Sequence, residues 1–153
     1  MLAVPARRQV VHLAVFTLVA VIFLGLFQRP AAASTAGDGQ LRALINQERA
    51  EEGRRRLDVG GRLARVAQDH SAEMAGTGRL YHNPDLARDL RSVSFRIAGE
   101  NVGVGGSIES LHDAFMDSPP HRRNVLRRSF HKIGVGVVYG ADGRLWVTVV
   151  FSG

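Results

Sequence analysis

The chain has no cysteine among its 153 residues. That excludes disulfide staples, thiolate nucleophiles and Cys-ligated zinc. Lysine is nearly absent too: of twenty basic residues nineteen are arginine, and Lys132 is the single lysine. Genomic codon usage explains that skew more simply than selection for phosphate contacts. No aromatic-interleaved basic stripe or helix-turn-helix pattern accompanies the charge, so no nucleic-acid partner is expected. Catalytic signatures are missing as well: there is no H-E-x-x-H helix, no G-x-S-x-G elbow and no P-loop. The glycine-rich pieces "GVGG" and "GVGVVY" lack the strand, helix and distant acid of a dinucleotide site. They read as close backbone packing, with Gly134 and Gly136 on a strand face pressed against a helix or a site floor. Neither a repeat nor a second-domain break appears, and 45% hydrophobic content is ordinary for one globular domain.

What is present begins with an export segment. Arg7 and Arg8 precede an apolar run from Val10 to Phe27, broken only by His12, Thr17 and Gly25. "RPAAAS" follows, where Ala31 and Ala33 suit a signal peptidase cutting after Ala33. The run also approaches the length that spans a bilayer, so residues 1–33 are a signal peptide or an uncleaved anchor, with membrane association through residues 10–27. In both cases the two arginines hold the N-terminus inside and place the rest outside, giving an extracellular or cell-envelope location. After position 33, seventeen basic residues face fourteen acidic ones, a surplus of three. An exported domain without cysteine must rely on its apolar core, which about 115 residues can supply.

Residues 34–40, "STAGDGQ", read as a linker, and residues 41–153 as the folded domain. Leu41, Leu44, Ile45 and Glu48 start a helical period that Gly53 can cap. A second helix carries Leu63, Val66, Ala67, His70 and Met74 on one face and stops in "GTG" from Gly76. His70 thus points inward as a satisfied core histidine. Pro84 pushes Asn83 out of helical geometry and leaves His82 on a turn. "DLRSVSFRI" has no clear period. Glu100 lies among Gly99, Gly103, Gly105 and Gly106, which permit a tight chain path. "SIESLHDAFMD" is a helix with Ser107 as N-cap and Ile108, Leu111, Ala114 and Phe115 as its stripe. Ser118 can cap a further short helix that has Pro119 at its first position and His121 in its first turn. "KIGVGVVY" and "RLWVTVVF", joined by "GADG", form an antiparallel hairpin. Helices followed by strands imply an α+β sandwich.

His82, Glu100 and His121 are the groups that can carry chemistry. Two imidazoles and a carboxylate suit a divalent metal such as zinc, with water in a fourth position. Their wide separation in sequence leaves a shared site and scattered, locally satisfied residues both open. Arg122, Arg123, Arg127 and Arg128 read first as a solvated face that can also meet anionic lipid heads or wall polymers.

"LINQERAEEGRRRL", "LARVAQDHSAEMAGTGRLYHN", "AGENVGVG", "SPPHRRNVL" and "FHKIGVGVV", taken in order, resemble the CAP superfamily, or SCP domain, in its short cysteine-free bacterial branch. The likeness covers residues 41 to 151. It implies an α-β-α sandwich with a small antiparallel sheet between helices and a cleft lined by two histidines and two acids, which in some members holds a divalent cation. Carried over, the histidines are His82 and His121 and the first acid is Glu100. Ser118 stands where the second acid would be, and Val149 where related sequences carry glutamine. The resemblance implies an exported, non-enzymatic binding module for a lipid, peptide or cell-envelope component, with His82, Glu100, Ser118 and His121 lining the cleft. The alternative is a metal-dependent, peptidase-like hydrolase in which Glu100 activates water between the histidines.

Overall fold

A computed structural model of the chain describes residues 32–153; the expected export segment, including residues 10–27, lies outside them. The elements run β1 (Ala32–Ala33), α1 (Thr35–Glu51), β2 (Asp58–Val59), α2 (Gly61–Thr77), α3 (Leu86–Asp89), β3 (Ala98–Gly105), α4 (Ile108–Asp117), α5 (Pro119–Leu126), β4 (Lys132–Tyr139) and β5 (Leu145–Ser152). The strands make one sheet in the order β1-β4-β5-β3, with β2 also paired to β4. Helices cover both faces, so the expected α-β-α sandwich is what forms.

Strand periodicity explains the layering. On β4 and β5 the odd positions Ile133, Val135, Val137, Leu145, Val147, Val149 and Phe151 join one core with Leu41, Ile45, Leu111, Phe115 and Val125 of α1, α4 and α5. Val150, of opposite parity, packs instead with Leu63, Val66 and Ala67 of α2. Trp146 joins Met74 and Val102 on that same face. The α2 face has room for a helix only because Gly134 and Gly136 lack side chains. A Cβ at Gly134 would lie 2.1 Å from the Leu63 carbonyl carbon, and one at Gly136 would lie 2.3 Å from the Gln68 nitrogen. Helix backbone rests directly on strand backbone, as the glycine pattern led us to expect. Ser71 locks the contact by donating to the Gly136 carbonyl at 2.9 Å and pairing with the Thr148 hydroxyl at 2.9 Å.

Several local expectations change. The 34–40 segment is no linker: Ser34 caps α1 by accepting the Gly37 N–H at 3.2 Å, and helix begins at Thr35. Gly37 and Gly39 masked that start, yet Gly37 is buried against Val137, where an added Cβ would lie 3.2 Å from Val137 Cγ1. Ala32 and Ala33 pair with Tyr139 and Val138, so the cut expected after Ala33 falls at the end of a sheet strand. The glycine-rich 98–105 stretch is a full strand, pairing with β5 from Ala98↔Ser152 to Gly105↔Leu145. On α4, Ala114, expected in the apolar stripe, is exposed, and His112 is buried in its place. Gly53 and Gly78 adopt positive φ (63° and 66°) just past α1 and α2, as helix-ending glycines do.

One buried charge anchors the side opposite α2. Arg49, fully buried, meets no carboxylate; its guanidinium donates to the carbonyls of Arg55 (2.8 Å), Val125 (2.7 Å), Arg127 (3.0 Å) and Phe130 (3.4 Å). Burial, and then the neighbouring Arg54 charge, hold its pKa below the usual arginine value. It gathers the segment after α1 and the segment after α5 around one group.

Candidate functional site at the β3 edge

β3 is an edge strand of the sheet, on which α4 and α5 pack. His82 arrives from the coil after α2. Its Nδ1 lies 2.7 Å from Glu100 Oε1, and the same oxygen accepts the Asn83 N–H at 3.0 Å. The two partners are unequal: the His82 side chain is 63% exposed and that of Glu100 only 5%. Glu100 Oε2 is buried with no hydrogen-bond partner. The carboxylate therefore backs the imidazole from inside the fold. With Nδ1 engaged by a carboxylate, the ring's outward nitrogen is Nε2, which in that tautomer offers a lone pair.

His121 enters from the other layer, in the first turn of α5. Its ring packs edge-on against Phe115, with centroids 5.3 Å apart. Burial first, and then the charge of His82, hold its pKa below the ordinary histidine value. Asn101, wholly buried on β3, donates through Nδ2 to the His121 carbonyl at 3.1 Å. Asn124 of α5 donates in turn to Asn101 Oδ1 (2.9 Å) and to the Glu100 carbonyl (3.1 Å). These two amides tie the strand bearing Glu100 to the helix bearing His121. Sequence reasoning missed both; the only signal was their adjacency to Glu100 in "GEN" and to the arginines in "RRN".

Ser118 ends α4 and begins α5 but makes no capping bond with its side chain. Pro119 and Pro120 remove backbone donors from the first turn, leaving a cap little to accept. His70 is the core histidine expected, with Nε2 2.8 Å from the Tyr81 carbonyl and its ring edge-on to Tyr81. Two depressions lie on the surface, neither lined by His82, Glu100 or His121. One, of about 230 Å³, lies between α2 and the 83–89 segment and includes His70, Glu73 and Asn83. The other, of about 320 Å³, lies along α4 and α5 and includes Met116, Asp117 and Leu126.

The donor set bears on a metal directly. Among the described residues no group of three or more histidine, aspartate or glutamate side chains is disposed to hold an ion. Glu100 differs from its expected place as a third ligand: one oxygen is occupied by His82 and Asn83, and the other is sealed away. The imidazole nitrogens left outside the Glu100 contact are His82 Nε2 and those of His121.

An α-β-α sandwich with a buried carboxylate behind one of two imidazoles at its sheet edge defines a class of fold, and sequence comparison gives the family. The model of the Cysteine-rich secretory protein family, CAP, matches residues 42–151, and the chain belongs to that family. The Bacillus subtilis (strain 168) protein YkwD is 31% identical over 111 residues, 67% of this chain and 42% of YkwD. An extracellular protein of Bacillus anthracis containing an SCP domain superposes with a TM-score of 0.68 at 27% identity, over 76% of this chain and 40% of that one. An outer surface protein of Borrelia burgdorferi shares the fold with a TM-score of 0.73 at 16% identity, over 80% of this chain and 96% of that one. This chain thus spans about two fifths of YkwD and of the Bacillus anthracis protein.

Proposed function

We propose that this is an extracellular or envelope-located recognition domain, whose ligand is a lipid, peptide or envelope component held at the β3 edge through His82 and His121. The location is supported by relatives described as an extracellular protein and an outer surface protein, and by the apolar export run at the N-terminus. One observation carries the reading of the site: His82 is exposed, yet it is fixed by a carboxylate that is itself buried and only half satisfied. Burying Glu100 this way costs stability that apolar packing would not, so its value lies in orienting the imidazole. The same arrangement argues against Glu100 as a general base, which must reach water, because its Oε2 is sealed away.

His82, through Nε2, and His121 are the residues that would hold a divalent cation such as zinc, which would supply a positive centre for an anionic or carbonyl group of the ligand. Glu100 would set the His82 tautomer, and Asn101 with Asn124 would hold α5 at its distance. Calorimetry of zinc binding to the full chain at neutral pH tests this. Binding should vanish in His82→Ala and in His121→Ala, and weaken about tenfold to a hundredfold in Glu100→Gln, the usual cost of losing an outer-shell partner. Binding that survives both alanine variants would refute the two-histidine site. Turnover of a peptide or ester substrate that disappears in Glu100→Gln would replace recognition with hydrolysis.

A further inference from the structure

The arginines left over from the β3 edge are distributed unevenly. Residues 51–58 and 122–132 together hold seven arginines and Lys132 against three carboxylates, a surplus of five. The remainder of residues 34–153 holds nine basic and eleven acidic side chains. The domain's net positive charge therefore sits in two short segments. The fold joins them: Arg49 donates to the Arg55 and Arg127 carbonyls at once. Asp58 pairs in register with Lys132, and Arg122 meets Glu52 at 2.6 Å. Within the cluster Arg55 is paired to Asp58, whereas Arg56, Arg123 and Arg128 are exposed and enter no ion pair among the described residues. Arg54, half-buried beside Arg49, leaves its Nε without a hydrogen-bond partner.

We infer that this basic pole is a docking surface for an extended polyanion, a chain of phosphate or carboxylate groups of the kind envelope polymers carry. Planar guanidiniums on two segments held together in this way suit repeated bidentate contacts along such a chain. A lipid bilayer fits less well, for two reasons in the structure. β1 joins β4 at Tyr139 and β2 joins it at Lys132, so the pole flanks the end of β4 remote from where residues 32 and 33 enter the sheet. At about 3.3 Å per residue the two ends are about 23 Å apart. Beside the pole, moreover, Val59 is the one exposed large hydrophobic residue, with Leu80 and Tyr139 elsewhere, whereas membrane-docking surfaces bury several.

The test is binding of the full chain to long-chain inorganic polyphosphate at low and raised salt. It compares Arg56→Gln/Arg123→Gln/Arg128→Gln with a control triple, Arg65→Gln/Arg79→Gln/Arg91→Gln, that removes equal charge elsewhere. Wild type and control should bind alike and weaken with salt, and the pole triple should bind about tenfold to a hundredfold more weakly, from the contribution of about 1 kcal/mol per basic residue at an anionic surface. All six side chains are exposed, and unchanged melting confirms that folding is not at issue. Three results would overturn the inference: no binding at low salt, equal weakening in both triples, or binding unchanged in the pole triple. Sedimentation with phosphatidylcholine vesicles with and without phosphatidylglycerol forms the second arm. A gain from phosphatidylglycerol that the pole triple loses would assign the surface to lipid heads instead. His82→Ala should leave polyphosphate binding intact, which separates this surface from the zinc-binding reading.

Discussion

Where α2 lies on β4, helix backbone touches strand backbone, and Ser71 and Thr148 satisfy each other and the Gly136 carbonyl. At the β3 edge a carboxylate oxygen is buried with no partner, and the imidazole it supports stands in solvent. The first region has no spare volume and no spare hydrogen bond; the second keeps both a cost and an open valence. The difference teaches where to look for function in a fold without a catalytic motif. Packing that could be tightened but is not, around a polar group that apolar residues would replace at a gain, marks the place where stability is set against another requirement.

Predictions that break the closed region are the largest. Gly134→Ala or Gly136→Ala forces helix backbone off strand backbone, and each should lose about 3 kcal/mol or more in chemical denaturation, at or above the usual range for overpacking. Gly103→Ala is the contrasting case, because its Cβ would meet only the side-chain ends of Leu111 and Phe115 at 3.0–3.2 Å. A loss of about 1 kcal/mol is expected there, and equal losses at 103 and 134 would erase the distinction between backbone and side-chain contact. Next comes Arg49→Met, which orphans carbonyls gathered from two segments and should cost about 3 kcal/mol by the same measurement.

The open region should behave in the opposite way. Glu100→Gln removes a buried charge while keeping an acceptor for Asn83, so stability should stay within about 1 kcal/mol of wild type even as zinc affinity falls. A large loss of stability would make Glu100 a structural residue and close the contrast. The smallest effect is a pH dependence. His121 has a depressed pKa in the folded protein, so the unfolded chain takes up its proton first as pH falls. Its contribution is complete above the ordinary value of about 6.5 and is lost as pH falls through that value toward the lower folded one. Melting curves of His121→Gln against wild type should therefore converge on acidification across that window, whereas a constant offset would show that the ring's burial does not couple to its charge.

Much of the fold was readable in sequence because its signals act over a few residues. The α2 stripe from Leu63 to Met74, the helix-ending Gly53 and Gly78, the 140–143 turn and the inward His70 follow from helical period, backbone sterics and turn chemistry. The misreadings share a cause as well. "STAGDGQ" has the composition of a linker, but Gly37 belongs to a helix that packs closely on Val137. The glycines of "AGENVGVG" read only as permitting a tight chain path, and within a strand they face Leu111, Phe115 and Phe130.

The sequence by itself determined that this is one cysteine-free domain of α+β architecture, related to the CAP family, and that His82, Glu100 and His121 are the groups worth watching. Only the tertiary structure decided their roles: that Glu100 backs His82 from inside the fold, that Asn101 and Asn124 hold α5 to β3, that Arg49 is buried, and that two arginine segments share one pole. The physical reason is range. Propensity and capping are settled between near neighbours, whereas a polar group's partner is settled by packing, here across 18 residues for His82 and Glu100 and 78 for Arg49 and Arg127. No local pattern encodes which of many distant groups will satisfy it.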